Sequence, residues 1–315
     1  MSAAEPPTIE VLEESNPQRR TVLGVVLASP GEGSRDTQAR VDRLLEYVEQ
    51  RSFSLGVVLG ARVNGRWVSG ALLIESPGRL GAAFIPAGSA RDGRRQATRM
   101  LLDRLPQHAW DHSVTLIQAL LDQEARAESQ LFAEAGFEHL AELIYLERTA
   151  RGPGPTVRGS DALSFVTYSP QTHDLFVDVL TQTYQASLDC PKLSGIRRPE
   201  EVLATHRATG IHDPQGWYVV TRADHGVGVL LLAGVQDRPA FEIVYMGVVP
   251  QARASGIGDA ILARAVDHCR RHGDADLTLA VDEDNEPARR LYQRWGMHET
   301  TRRSAWFTPN PQRCA

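Results

Sequence analysis

A pattern near the middle of the chain recurs near its end, and this repeat constrains the fold more than any other feature. The segments "SQLFAEAGFEHL" (Ser129 to Leu140) and "RRLYQRWGMHET" (Arg289 to Thr300) both read as a helix, a glycine and a strand. Gly136 and Gly296 occupy the same place, where a left-handed residue commonly ends a helix. Solenoid units are far shorter than the spacing of these copies. The sequence therefore predicts two duplicated domains.

Glycine and proline crowd together in "RGPGPTVRGSDA", between two strand-like runs. Such a composition is typical of an interdomain linker. We therefore expect one domain over residues 1–150, a Gly/Pro-rich linker over residues 151–160 and a second domain over residues 161–315. The length of 315 residues fits two domains of ordinary size.

Charge and cysteine content argue against several classes of protein. A net charge of −5 does not suit a protein that wraps nucleic acid or lies on an anionic membrane. Three cysteines form no spaced framework, which fits a reducing compartment. The N-terminus lacks a signal-peptide pattern, and no apolar run approaches membrane-spanning length. We expect a cytoplasmic protein without nucleic-acid or membrane partners.

The second half has a mixed order of elements. The runs "GWYVVTR", "GVGVLLLAGV" and "FEIVYMGVVP" read as strands, "DAILARAVDHCRRHG" as an amphipathic helix, and "DLTLAV" as a further strand. Regular alternation, the mark of a parallel sheet, is absent. The predicted fold class is α+β with α/β/α layers, in which each domain has a mixed, mostly antiparallel sheet flanked by helices.

Two glycines, Gly256 and Gly258, stand between a predicted strand and the long helix. Main-chain N–H groups at a helix start, together with the helix dipole, bind anions such as phosphate. A P-loop would need Lys and Ser/Thr where Asp259 and Ala260 stand, and a dinucleotide fingerprint would need a small residue at Ile261. Both alternatives weaken, whereas an ordinary strand-to-helix turn remains open.

A second motif lies downstream of this turn. The pattern Arg/Gln-x-x-Gly-x-Gly/Ala runs from Arg253 to Gly258, and Asn-x-x-Ala-x-x-x-Tyr runs from Asn285 to Tyr292, before Gly296. Together they resemble the GNAT superfamily of acetyl-CoA-dependent N-acetyltransferases. The resemblance covers residues 161–310 in layout and motifs, and residues 1–150 in layout only. It implies a chain of two tandem GNAT-like domains that uses acetyl-CoA as co-substrate and no metal.

The resemblance also implies a role for each part of the cofactor site. The glycine turn would bind the pyrophosphate of coenzyme A, and the preceding strand would pair with the pantetheine arm. The implied cofactor-binding residues are Met246, Gly247, Val248, Arg253, Ser255, Gly256, Ile257, Gly258, Asp259, Asn285 and Tyr292.

Acyl transfer to an amine needs a base, a site for the oxyanion and an acid for the departing thiolate. The resemblance implies that Glu242 is the base, that Tyr292 is the acid and that the oxyanion lies near Gly247. A carboxylate on the sheet surface and a core tyrosine are the alternatives. The implied reaction is direct attack in a ternary complex. A non-catalytic acyl-CoA sensor and a dinucleotide-binding oxidoreductase are the competing functions.

The segment from Thr183 to Gly210 is where the family builds one wall of the acceptor site. Its candidate residues are Asp189, Cys190, Arg197 and His206, which could hold a polar amine or form a solvated loop. The expected acceptor is the amine of a small molecule or a peptide, and the expected oligomeric state is monomer or homodimer. Cys190 reads as a small apolar residue rather than a nucleophile, because no His/Asn partner is visible.

Three residues near the end of the long helix, His268, Cys269 and His272, have the chemistry of metal ligands. A metal site needs convergent ligands and supporting partners, so a polar helix terminus explains them better.

The first half lacks the chemical residues of the second. Pro86 and Pro250 give a register for comparing the halves. In that register Gly93 falls out of line with the glycine pair, and Gly78 stands opposite Glu242. The repeat of helix, glycine and strand sets Ala125 and Phe132 opposite Asn285 and Tyr292. We predict that the first domain is catalytically silent.

Overall fold

The computed structural model describes residues 6–29, 31–50, 53–91, 93–152, 154–157 and 162–313. The chain divides into two compact units. Unit 1 comprises Met1–Leu140 together with Ser304–Ala315, and unit 2 comprises Ala141–Arg303.

Unit 1 begins with a hairpin-rich sheet that has helices on both faces. Strands β1 to β5 are neighbours in that order; β4 and β5 are parallel, and the other pairs are antiparallel. Val22 and Val26 of α1 lie against Gly70 of β3, while α3 packs into a separate core on the sheet. Its elements are β1 (Thr8–Val11), α1 (Arg19–Leu27), α2 (Ser34–Gln50), β2 (Ser54–Val63), β3 (Arg66–Glu75), β4 (Leu80–Phe84), α3 (Arg94–Asp111), β5 (Leu116–Asp122) and α4 (Arg126–Glu134).

Unit 2 repeats this arrangement around one large core. The strand order is β6-β11-β10-β9-β8-β7, in which only β10 and β11 are parallel among the described pairs. Thr183 of α5 reaches one face at Gly247, and Ile261 of α7 reaches the other at Gly228. The elements are β6 (Glu138–Arg148), β7 (Ser164–Thr167), α5 (His173–Tyr184), α6 (Pro199–Ala208), β8 (Ile211–Arg222), β9 (His225–Gly234), β10 (Ala240–Val248), α7 (Ile257–Arg271), β11 (Asp276–Asp282), α8 (Glu286–Arg294) and β12 (His298–Pro309).

The last strand of each half lies with the other unit. From Ala141 onward β6 belongs to unit 2, where Leu143–Arg148 pair with β11. From Ser304 onward β12 belongs to unit 1, where it is the neighbour of β5. The following residue, Asn310, donates its backbone N–H to the Thr115 carbonyl at 2.9 Å. Each sheet is thus completed by a strand from the other half of the sequence.

The predicted fold class is confirmed, since both units have mixed, mostly antiparallel sheets between helices. The division of the chain differs from the predicted bounds of 1–150 and 161–315, because the exchanged strands move it to Leu140 and return the C-terminal segment to unit 1. Within the predicted linker, Pro153 and Arg158–Ser160 lie outside the described residues, as does Asp161.

Helix ends follow the repeat closely. Gly136 and Gly296 have φ angles of +83° and +71°, so both adopt the predicted left-handed conformation after a helix. Gly93 and Gly256 have φ angles of +72° and +83°, and each is the N-cap of the long helix of its unit. Gly93 is out of register by one residue when Pro86 and Pro250 are aligned, as predicted, yet the structure gives it the same place at the helix start as Gly256.

Strand pairing corrects a second detail of the comparison between halves. Glu242 pairs with Thr278, the third residue of β11, and Ala82 pairs with Gln118, the third residue of β5. Ala82, rather than Gly78, is therefore the counterpart of Glu242. Neither Ala82 nor Gly78 carries a carboxylate.

None of the helices in the described part of the chain combines the length and the apolar character needed to cross a bilayer.

Candidate active site

The candidate site begins where β10 departs from regular pairing. Its pairing with β11 runs from Ala240 to Ile243, and its register with β9 shifts between Ile243 and Tyr245. The extra residue, Val244, forms a bulge, which bends a strand and interrupts its ladder. A cleft of about 550 Å³ lies at this point, lined by Ile243–Val248 of β10 and Leu279–Val281 of β11.

The N-terminus of α7 forms one wall of the cleft. Gly256 is the N-cap, with a left-handed conformation that an L side chain would strain, and Ile257, Gly258 and Asp259 form the first turn. N–H groups in the first turn of a helix have no partner within the helix. All four residues line the cleft. This wall can bind an anion through its main chain.

Leu291 of α8 explains why the second glycine is small. A Cβ atom at Gly258 would lie 3.0 Å from Leu291 Cδ2. Asp259 accepts hydrogen bonds from the Trp295 indole at 2.9 Å and from the Arg294 guanidinium at 3.1 Å. Its carboxylate thereby fixes α7 against α8 and is not directed at a ligand.

Arg253 and Ser255 support the turn from within. The Arg253 guanidinium donates to four main-chain carbonyl oxygens at 2.7–3.1 Å, those of Thr183, Gln185, Ala186 and Val248. The Ser255 hydroxyl donates to the Ala252 carbonyl at 2.6 Å. A contact between the Arg253 guanidinium and a phosphate would require some of these bonds to break.

Residues of α8, which packs against α7, also line the cleft. Asn285 caps this helix, since its side chain accepts a hydrogen bond from the Ala288 N–H at 3.3 Å. Tyr292 lines the cleft and is only 6% exposed. Burial raises the pKa of Tyr292 above its ordinary value of 10.0, and the nearby Asp189 adds to the rise. The phenol therefore carries its proton at neutral pH and can act as a proton donor.

Glu242 lies just outside the cleft wall, one residue before Ile243. Its side chain is half-buried. Burial raises the pKa of the Glu242 carboxyl above its ordinary value of 4.5. The pKa of Tyr145 is also raised, first by burial and then by the charge of Glu242, so the two side chains lie close together. A carboxylate with a raised pKa is a better proton acceptor near neutrality.

Asp189 is the candidate acceptor residue that lines the cleft. Its Oδ1 accepts the Asp282 N–H at 3.1 Å, and the Cys190 N–H donates to Asp282 Oδ2 at 3.1 Å. These two bonds hold the loop against the end of β11. Burial raises the pKa of the Asp189 carboxyl, although the bond from Asp282 N–H opposes this effect.

Cys190 is set up as a thiol rather than a thiolate. Burial raises the pKa of Cys190, and the carboxylates of Asp189 and Asp282 raise it further. Only the thiolate is a strong nucleophile. The raised pKa therefore does not favour a covalent acyl intermediate at this position.

His206 and Arg197 lie behind the cleft wall rather than in it. His206 Nε2 is 3.1 Å from the Tyr184 hydroxyl, and its ring lies 5.5 Å from that of Tyr245. Burial lowers the pKa of His206 to about 3, and Arg197 lowers it further. Arg197 donates to the Thr205 hydroxyl at 2.8 Å. Both residues support the wall and do not face the cleft.

Two cleft residues, Thr183 and Tyr245, were missed by sequence reasoning. Their hydroxyl groups are 2.9 Å apart, and a Cβ atom on Gly247 would come within 2.7 Å of Thr183 Cβ and within 2.6 Å of the Tyr245 hydroxyl. Gly247 is thus required by close packing. Tyr245 adjoins the predicted Met246, but the bulge changes which face each residue occupies, and alternation alone does not reveal it.

The residues of this site lie in a part of the sequence that is similar to known proteins. A model of the "Acetyltransferase (GNAT) family" matches residues 180–297, a range that contains every residue lining the cleft. The mycothiol acetyltransferase of Clavibacter michiganensis subsp. michiganensis is 27% identical over 311 residues, which is 93% of this chain and 95% of that protein. The mycothiol acetyltransferase of Thermomonospora curvata is 26% identical over 226 residues, 70% of this chain and 71% of that protein.

Solved structures give the same fold. A GCN5-related N-acetyltransferase from Sphaerobacter thermophilus has a TM-score of 0.60 at 16% identity, covering 96% of this chain and 95% of that one. A tandem GNAT protein from the clavulanic acid biosynthesis pathway has a TM-score of 0.54 at 15% identity, covering 96% and 98%. At these identities the likeness is one of fold alone.

Proposed function

We propose that unit 2, in which residues 180–297 match the model of the acetyltransferase (GNAT) family, transfers the acetyl group of acetyl-CoA to a primary amine. The observation that carries the proposal is the cleft at the β10 bulge, which is lined by both the glycine turn of α7 and Tyr292. The turn that would bind an anion and the tyrosine that would donate a proton thus line the same cleft.

The co-substrate would lie along the interrupted edge of β10. The main-chain N–H groups of Ile257, Gly258 and Asp259 would bind the pyrophosphate, and Met246 to Val248 would pair with the pantetheine amides. Acetyl-CoA supplies an activated thioester carbonyl. Arg253 would act by holding the turn in place, since its guanidinium is engaged by carbonyl oxygens.

The proposed reaction is a direct attack by the amine. Glu242 takes a proton from the ammonium form of the acceptor, directly or through water, and the neutral nitrogen attacks the thioester carbon. A main-chain N–H near Gly247 stabilises the oxyanion. As the C–S bond breaks, the Tyr292 hydroxyl protonates the thiolate. The nitrogen loses its second proton, which returns through water to the Tyr292 phenolate, and Glu242 releases its proton to solvent. The products are an amide and free coenzyme A.

The proposed acceptor is a small polar amine. Proteins similar to this chain over most of its length are named mycothiol acetyltransferase, so mycothiol-related amines are the first acceptors to test. Asp189 offers a carboxyl group at the cleft wall for a polar group of such a molecule. Unit 1 would support the enzyme without binding acetyl-CoA.

Calorimetry with acetyl-CoA tests the proposal first. We expect one site per chain in the wild-type protein, binding close to wild-type in Gly258→Ala, and no measurable binding in Gly258→Glu. The alanine adds only a Cβ atom near the flexible end of Leu291, whereas the glutamate adds an anion to the turn. NADH and ATP serve as control ligands. Wild-type protein that fails to bind acetyl-CoA would overturn the proposal.

A second measurement follows the release of thiol with a panel of amines that includes mycothiol-related compounds. We expect turnover with at least one small polar amine. Tight binding of acetyl-CoA without turnover of any amine would favour a non-catalytic acyl-CoA sensor instead.

A further inference from the structure

Three side chains with metal-ligating atoms meet at the C-terminal end of α7. They are Asp213 of β8 and the pair His268 and His272, and their ligand atoms all lie within 4.8 Å of one another. His268 Nε2 is 3.7 Å from Asp213 Oδ2. Two imidazoles and one carboxylate are a common ligand set for zinc, with water in the fourth position.

The backbone brings Asp213 to this place through an irregular stretch of β8. The register of β8 with β9 shifts between His212 and Trp217. Asp213 Oδ1 accepts the Gln215 N–H at 2.9 Å, which shapes the turn. Gly216 then lies on the His268 ring, because a Cβ atom there would be 3.5 Å from His268 Cε1. The irregular stretch is packed directly on the histidine.

His268 itself has the burial of a core residue and the chemistry of a ligand. Its side chain is 1% exposed, and neither ring nitrogen has a hydrogen-bond partner among the described residues. Buried polar atoms in native proteins nearly always have partners, and a bound ion is one reason for an exception. Nε2 is aimed at Asp213, so a cation between them would satisfy it.

His272 is held in the form that binds metals. Its Nδ1 is 2.8 Å from the His268 main-chain carbonyl oxygen. Since a carbonyl only accepts, Nδ1 carries the proton and Nε2 keeps its lone pair. Metal-ligating histidines usually have such a partner on the second nitrogen. The two histidine rings stack at 4.3 Å, and the Phe241 ring packs edge-on against both, at 4.7 and 5.1 Å.

Charges of both signs face this site: Asp213 favours positive charge at His268, whereas Arg264 and Arg271 disfavour it. The cationic groups that face it are Arg264 and Arg271, and both pair with Asp267, at 3.9 and 3.1 Å. The carboxylate of Asp213 is left to offset the charge of a bound ion.

We propose that Asp213, His268 and His272 form a binding site for a divalent transition metal, with Zn²⁺ as the principal ion and water as the remaining ligand. Side-chain rotation would bring the ligand atoms to the roughly 3.3–3.5 Å separation of a tetrahedral site. Because α7 rises 1.5 Å per residue, His268 lies about 18 Å from Gly256. The ion would therefore join β8 to the end of α7 and stabilise unit 2 without taking part in acetyl transfer.

The test uses untagged full-length protein that has been treated with EDTA and then titrated with Zn²⁺ by calorimetry. We expect one ion per chain, and affinity at least about 10–100-fold lower in His272→Gln and in Asp213→Asn. Zn²⁺ should raise the melting temperature of the wild type but not of these variants. His225→Gln, which changes an exposed histidine at the start of β9, is the matched control and should behave as wild type.

The site is wrong if the wild type binds no Zn²⁺, or if His272→Gln and Asp213→Asn bind it as tightly as the wild type. Far-UV circular dichroism, measured on the same samples, verifies that each variant is folded. That readout requires neither the metal nor acetyl-CoA, so a failure of this site leaves the proposed acetyl transfer untouched.

Discussion

Units 1 and 2 share an order of elements but differ at the strand that precedes the long helix. In unit 1, β4 has five residues and pairs with β3 in regular register from Gly81 to Phe84. In unit 2, β10 has nine residues and a register shift between Ile243 and Tyr245. Glu242 lies eight residues before Pro250, whereas its counterpart Ala82 lies four residues before Pro86. The cleft of unit 2 lies along this longer stretch of β10.

The helix starts differ in what they leave accessible. Both N-caps are left-handed glycines, but two residues later unit 2 has Gly258 and unit 1 has Arg95. The Arg95 guanidinium bonds to Glu134 at 2.5 Å, across the same two helices that Asp259 and Arg294 join in unit 2. In unit 1 the long helix carries the cation and the short helix carries the carboxylate, and in unit 2 the two charges are exchanged. Unit 1 thus has the left-handed glycine at the helix start, but it has an arginine side chain where unit 2 has Gly258.

This contrast leads to the expectation that chemistry is confined to unit 2. Exchanging single residues between the units tests it directly, since both catalytic candidates and the helix cap Asn285 have apolar counterparts. The pairs are Tyr292 and Phe132, Glu242 and Ala82, and Asn285 and Ala125.

The largest effect is expected from Tyr292→Phe, which gives unit 2 the side chain of unit 1. Loss of the proton donor should lower kcat about 10²–10⁴-fold while acetyl-CoA affinity and the melting temperature change little. Steady-state thiol release measures kcat. The matched control, Phe132→Tyr, should leave kcat unchanged, and a Tyr292→Phe enzyme with normal kcat would remove the phenol from the mechanism.

Glu242→Gln should have the next largest effect, about 10²-fold or more on kcat/KM near neutral pH. The base acts only when deprotonated, so wild-type activity should fall as pH drops through the raised pKa of Glu242, above 4.5. The variant should lack this acid limb in a pH profile of kcat/KM. An unchanged limb would assign the titration to another group.

A stability effect of about 1–2 kcal/mol between pH 7.5 and pH 5 is expected from His206. The pKa of this histidine is about 3 in the fold against 6.5 as its ordinary value, so the folded state disfavours the protonated ring. Its contribution to stability is complete above pH 6.5 and is lost as pH falls toward 3. Urea unfolding at both pH values should show a smaller loss in His206→Gln, and equal losses would contradict this assignment.

The smallest expected change concerns the cap of α8. Asn285→Ala should lower the free energy of unfolding by about 1 kcal/mol, because the Ala288 N–H loses its acceptor. The reverse exchange, Ala125→Asn, should raise stability by a similar amount, since Ala125 provides no side-chain cap to α4. Chemical denaturation measures both. Shifts of the same sign would show that the two helix starts are not equivalent.

The local features of the fold were predictable from sequence because they depend on neighbouring residues. Gly136 and Gly296 end their helices as predicted, and Gly256 begins α7 as the motif implies. The pattern of apolar residues gives the strands of unit 2. These signals need no knowledge of distant partners.

The remaining features depend on contacts between residues far apart in the chain. Periodicity identifies β6 and β12 as strands but not the sheet that each one joins. It also cannot locate the bulge at Val244, which decides that Tyr245 faces the cleft. Asp213 lies 55 positions before His268 in the sequence. The sequence alone therefore shows the two histidines only as polar residues near a helix end.

The exchange of strands affects the order in which the two units can fold during synthesis on the ribosome. Domains usually fold as they emerge, N-terminal first. Unit 1 includes Ser304–Ala315, so its sheet stays incomplete until the ribosome has made unit 2 and then this segment. Unit 1 is thus the first to be synthesised but the last to be completed. Until β12 has been made, the edge of β5 is unpaired and can pair with strands of other nascent chains.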